Sequence, residues 1–149
     1  MGKKTANQQV NQQHDKRVFR EGEIIFCEGD LRELINTTYA EYKYKGAQLD
    51  KLVQIINFLT HESNKYTAPE LAVECQRFND FLNTFLDFLQ RNFREGGRNT
   101  GDEIIYCLVE GENSSENEAF LVEFQMVAMD VEKAFKNYRA AVLKQHAQQ

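Results

Sequence analysis

Catalysis and metal binding need side chains that converge, and the reactive residues of this chain are scattered. His14, His61 and His146 lie far apart, and none stands in the short Glu-x-x-His or Cys-x-x-Cys frames that bring ligands together. Cys27, Cys75 and Cys107 are widely spaced and odd in number, which fits free thiols in a reducing compartment rather than a disulfide framework. A nucleophilic thiol would also need an identifiable base. Cys75 falls instead on the apolar side of a Phe-rich helix, where a thiol serves as a small buried hydrophobe. Phosphate loops, dinucleotide fingerprints and nucleophile elbows are missing from the sequence, as are the alternating ligands of a calcium-binding loop. No cofactor, metal ligand or catalytic residue is therefore nominated.

Charge and aromatic content say more. The formal charge of -5 disfavours non-specific nucleic-acid binding, which needs a basic face. From Asn99 to Glu132 the chain has no Lys or Arg, while Asp102, Glu103, Glu110, Glu112, Glu116, Glu118, Glu123, Asp130 and Glu132 are acidic. Basic residues then follow at Lys133, Lys136, Arg139 and Lys144. Part of this is ordinary helix electrostatics, acids at the N-terminus and bases at the C-terminus. The surplus around Glu110, Glu112, Glu116 and Glu118 exceeds it, and marks either a docking surface for a basic partner or a solvated acidic loop. Eleven Phe and six Tyr are many for a chain without Trp, and they cannot all point into one small core. Tyr42 and Tyr44 would lie about 200° apart on a helix, so at least one is expected at the surface. Phe88 and Phe93 flank the main apolar stripe. These four aromatics and the four glutamates are the candidate interaction residues, since exposed aromatics favour interfaces.

The elements that would carry them are helical. A lone Pro and 42% hydrophobic residues suit an all-α chain of single-domain size. The central element runs from Thr67 to about Gly96. Thr67 is expected as N-cap, with Pro69 in the first turn, Glu70 closing a capping box and Gly96 ending the helix. Phe78, Phe81, Phe85 and Phe88, with Leu71, Cys75, Leu82 and Leu89, form its broad apolar face. Leu31, Leu34, Ile35, Thr38, Tyr39 and Tyr42 predict a helix over 30–45, with Gly46 at its end or inside a longer one. Leu49, Leu52, Val53, Ile56 and Leu59 form the next stripe. Ser115 and Glu118 have capping-box spacing and open a long segment bearing Phe120, Leu121, Phe124, Val127, Val131, Phe135, Tyr138 and Val142. Thr100 and Glu103 predict a short helix through Ile104, Ile105, Leu108 and Val109, against a competing strand reading because Ile-Ile-Tyr-Cys-Leu-Val is rich in β-formers.

The expected architecture is an antiparallel helical bundle of about four main helices with short additional ones. Residues 1–14, nearly devoid of apolar side chains, are expected as a disordered arm, 15–146 as the domain and 147–149 as a frayed tail. Gly22-Glu23-Ile24-Ile25-Phe26 followed by Glu28-Gly29-Asp30 resembles the opening of cyclic-nucleotide-binding domains. The chain then continues as a helix through Leu31 and Ile35, without further glycine-punctuated strands or an arginine-bearing phosphate cassette, so no membership follows. Glu23-Ile24-Ile25-Phe26-Cys27 is echoed by Glu103-Ile104-Ile105-Tyr106-Cys107, either by coincidence or as a pair of related elements that would bring Cys27 near Cys107. With no apolar h-region near its N-terminus and no membrane-length apolar run, the chain is expected to be cytoplasmic. The expected function is that of a non-enzymatic protein-interaction module, working through an exposed helix face or the acidic 99–132 region. The alternatives are a bundle whose Phe stripe lines a cavity for a small hydrophobic ligand or lipid, and a helical enzyme with a site assembled from scattered residues.

Overall fold

A computed structural model describes residues 5–98, 101–109 and 114–147. They form five α-helices and one small sheet: α1 Ala6–Ile25, α2 Glu28–Glu41, β1 Lys43–Lys45, α3 Gly46–Thr60, α4 Pro69–Asn92, β2 Phe93–Arg98, β3 Ile104–Leu108 and α5 Ser114–Ala147. A single 3₁₀ turn, Glu62–Asn64, bridges α3 and α4. The chain is thus mostly helical, with a three-stranded sheet that the periodicity did not announce.

The polar N-terminal stretch is helical from Ala6, where a disordered arm was expected. Thr5 accepts a hydrogen bond from the Gln8 amide while the Gln8 side chain accepts from the Thr5 amide, a reciprocal cap. Beyond the first turns, α1 is pinned from outside. His14 bonds the Lys65 carbonyl at 2.7 Å, and Arg17 donates to the Ser63 carbonyl and the Asn64 side chain. Val18 and Gly22 are buried on the same side. Tertiary contacts therefore hold α1 from His14 onward, while its exposed first turns rest on the cap.

The N-terminus of α4 departs from the expected cap. Its N-cap is Ala68, with Pro69 at the first helical position, and the Thr67 hydroxyl points away to Asp15. Asp15, 4% exposed on α1, accepts from the Thr67 and Ala68 amides at 2.8 and 3.1 Å and from the Thr67 hydroxyl at 2.9 Å. One carboxylate, 52 positions upstream of Thr67, thus caps the central helix.

α4 ends earlier than expected, at Asn92, and Gly96 lies in β2 rather than at a helix terminus. It sits at a bulge: Glu95 pairs with Tyr106 and Gly97 with Ile105, leaving Gly96 extra. A Cβ on Gly96 would stand 2.5 Å from the Cys107 sulfur, so any larger residue forces the Cys107 side chain to shift. β3 is the central strand, antiparallel to β1 on one side and β2 on the other. Residues 104–108 are therefore a strand, not the expected helix. Their β-forming side chains find partners on both edges, with Tyr106 directly opposite Tyr44 and stacked on it at 5.3 Å. Thr100 and its expected cap lie outside the described residues.

The helix expected over 30–45 also stops short. Tyr42 takes the left-handed conformation (φ 55°) at the end of α2, and the chain turns into β1. The Tyr42 carbonyl accepts from the Leu108 amide at 3.0 Å. Gly46 then begins α3, where a Cβ would stand 3.3 Å from the Ile104 carbonyl oxygen.

The core lies between α4 and α5, which run antiparallel. Phe88 stacks on Phe120 at 5.4 Å at one end, and Phe78 meets Phe135 edge-on at 4.7 Å at the other. Phe85 and Phe124 fill the middle. The Phe stripe thus faces a packed wall of rings rather than a cavity, although Phe81 is partly exposed on its edge. The phrase shared by 23–27 and 103–107 folds differently in its two places. Ile24 and Ile25 end α1, whereas Ile104 and Ile105 sit in β3, so the echo is not a structural repeat.

Candidate functional site

The candidate interaction residues separate on inspection. Tyr44, Phe88 and Phe93 are buried, Tyr44 lying against Phe93 at 4.9 Å and Phe93 against Phe120 at 5.8 Å. Their place is the joint where the sheet meets α4 and α5, so these three are architectural. Tyr42 is exposed, its ring beside Phe120, and Tyr39 is exposed on the same side of α2, stacked on Phe124. Tyr39 of α2 and Tyr42 just past its end therefore rim α5. Glu118 is exposed on α5. Glu110 and Glu112 lie outside the described residues, as does the side chain of Glu116, and so does much of the proposed acidic surface.

The surface feature missed in the sequence is the outward face of α5. Val122, Met126, Met129 and Leu143 are 58–70% exposed. With Ala119, Lys133, Lys136 and Ala140, also exposed, they follow an unbroken alternation of three and four: 119, 122, 126, 129, 133, 136, 140, 143. This is the a/d spacing of a helix that packs along another helix. The opposite side of α5, with Phe120, Phe124, Val131, Phe135, Tyr138 and Val142, is buried in the core. α5 therefore carries large apolar side chains on two sides, only one of them covered, and on the outward side Lys133 and Lys136 separate Met129 from Leu143. The periodicity was visible in the sequence. It went unread because the stronger stripe on the same helix already accounted for the apolar residues.

The outward row is held in a fixed orientation. On one flank, Arg91 of α4 bridges to Glu123 at 3.2 Å. On the other, Arg139 reaches Glu28 at 2.9 Å and faces Glu23 at 3.4 Å, tying α5 to the start of α2 and the end of α1. Burial raises the Glu23 carboxyl above its ordinary range; the Arg139 charge opposes that shift, and Glu28 and Asp30 add to it. At the start of α2, burial would also raise Asp30. The Cys27 amide and Lys51 outweigh it and hold Asp30 below the usual carboxylate range.

Other places offer less. A cavity of about 110 Å³, lined by Asn64, Tyr66, Cys75 and Asn79 among others, holds room for about three waters. The Asn79 side-chain oxygen is buried beside it without a protein partner, which a water would satisfy. Burial pushes the Cys75 thiol up to about 12, leaving it a poor nucleophile at neutral pH. The Tyr66 and Tyr138 hydroxyls bond each other, and burial raises both phenols. His146 is half-buried edge-on to Phe19, and burial lowers its pKa. Among the described residues, no three His, Cys, Asp or Glu side chains gather where a metal ion could sit, and no helix is long and apolar enough to cross a membrane.

Compared with models of known protein families, with curated proteins and with solved structures, the chain matches none.

Proposed function

We propose that this chain is a non-enzymatic protein–protein interaction module whose docking surface is the outward face of α5. The observation that carries the reading is the exposed row Val122, Met126, Met129 and Leu143, set at helix-packing spacing on a helix whose other side already fills the core. An isolated exposed apolar residue needs no explanation, whereas a contiguous, periodic row favours a partner surface. Methionine suits such a role because its flexible, polarisable side chain adapts to a partner. Tyr39 and Tyr42 are also half-exposed, against Phe124 and Phe120 on the α2 side of α5, and tyrosine is enriched at interfaces. The three free cysteines favour an intracellular setting.

Methionine footprinting tests the reading. Peroxide should oxidise Met126 and Met129 readily in the dilute purified protein, and at least about tenfold more slowly in a concentrated extract of the cells that make it. Oxidation of both methionines as fast as free methionine, the internal standard, in both settings would refute a docking role for this face.

A further inference from the structure

We propose that the occupant of this face is a second copy of the same chain, with the two α5 helices packed antiparallel about a two-fold axis near residue 131. This rests on the reading of α5 as a docking surface and names its partner. Charge is the first reason. Between residues 118 and 132, α5 carries Glu118, Glu123, Asp130 and Glu132 with no Lys or Arg; between 133 and 144 it carries Lys133, Lys136, Arg139 and Lys144 with no Asp or Glu. A helix macrodipole favours such a division only within its first and last turns, whereas Glu123, Asp130, Glu132, Lys133 and Lys136 lie in the interior of a 34-residue helix. Two antiparallel copies set each acidic half against a basic half. Parallel pairing would oppose like charges over the whole length.

Register is the second reason. Turning α5 about an axis at 131 places Met129 opposite Lys133 of the second copy, Met126 opposite its Lys136, Val122 opposite its Ala140 and Ala119 opposite its Leu143. Every a position of the exposed row then meets a d position, in unbroken layers from 119 to 143, a seam of about 36 Å. Small residues fall opposite larger ones in the outer layers. In the two central layers each lysine stem lies along a methionine, and the four ammonium groups emerge among Asp130 and Glu132 of both copies. The contact is isologous, so it closes as a dimer and leaves no free edge for further growth.

The purified full-length protein should sediment as a concentration-dependent dimer over about three decades of concentration, up to about 0.5 mM. Met126→Lys/Met129→Lys, at positions exposed to solvent in the single chain, sets lysines against Lys136 and Lys133 of the second copy, and should keep the wild-type helix signal while raising the dimer Kd by about 100-fold or more. Met126→Cys/Lys136→Cys should form a 126–136 interchain disulfide under mild oxidation, located by peptide mapping, whereas Met126→Cys alone should not link to itself. A wild-type monomer throughout this range overturns the proposal. If Met126 and Met129 are nevertheless protected in the extract, the docking reading stands with another protein as partner; if they are not, both fall. Undiminished dimerisation of the double-lysine variant overturns the proposed face, and a 126–126 disulfide overturns its antiparallel register.

Discussion

At the scale of residues, the strongest dependence falls on Asp15. Its carboxylate, buried on α1, is the acceptor for two backbone amides and one hydroxyl at the start of α4. Asp15→Ala leaves those donors without an acceptor, and we expect a loss of about 2–3 kcal/mol in urea unfolding. Asp15→Asn, which keeps one acceptor oxygen, should lose less, and equal losses would show that the cap is not the source. Glu23 predicts the opposite behaviour. Its folded pKa lies above the ordinary value of 4.5, so the folded chain holds its proton more firmly than the unfolded one. Its contribution to stability is full below 4.5 and is lost as pH rises through the raised folded value. Glu23→Gln should thus flatten the stability profile over that window and leave the protein at least as stable at neutral pH, because Arg139 keeps Glu28. A clear loss of stability at neutral pH would mean that the Glu23–Arg139 pair outweighs the cost of burial.

At the scale of elements, helices and strands were unequally legible. The cores of α2, α3, α4 and α5 were evident because each carries its own 3.6-residue periodicity. The sheet was not, since β1 and β3 pair residues sixty or more positions apart, and a three-residue strand such as Lys43–Lys45 has no period of its own. The same Ile-Ile-aromatic-Cys phrase is helical before Phe26 and extended in β3, so local composition could not settle its state. Gly96 belongs to this scale. Gly96→Ala drives a methyl group into Cys107, with 2.5 Å to the sulfur and 3.1 Å to Cβ. We expect a cost of about 1–3 kcal/mol, part of it recovered in Gly96→Ala/Cys107→Ala by removing the sulfur. An unchanged melting temperature in the single variant would place the bulge elsewhere.

At the scale of the whole molecule, α5 joins architecture to the proposed function. One side closes the aromatic core against α4, and the other presents the three-four row, while ion pairs to Arg91 and Glu28 fix its rotation between neighbours. That fixed rotation makes the docking proposal specific: a helix locked in the core cannot turn its methionines inward. Of the residues singled out in the sequence, Tyr42 and Glu118 reach the surface, whereas Tyr44, Phe88 and Phe93 are consumed by packing. Counting aromatics suggested that some must be exposed; which ones depended on where the sheet closed.

By itself the sequence determined the helical class, the apolar face of α4, the long amphipathic α5 and the division of its charge, because each is a property of neighbouring residues on one helix. Only the tertiary structure decided that α1 is ordered from Ala6, that Asp15 caps α4, that residues 104–108 extend as a strand and that the second apolar row of α5 is left uncovered. Each of these depends on groups far apart in the chain, and no local period encodes which distant partner will arrive.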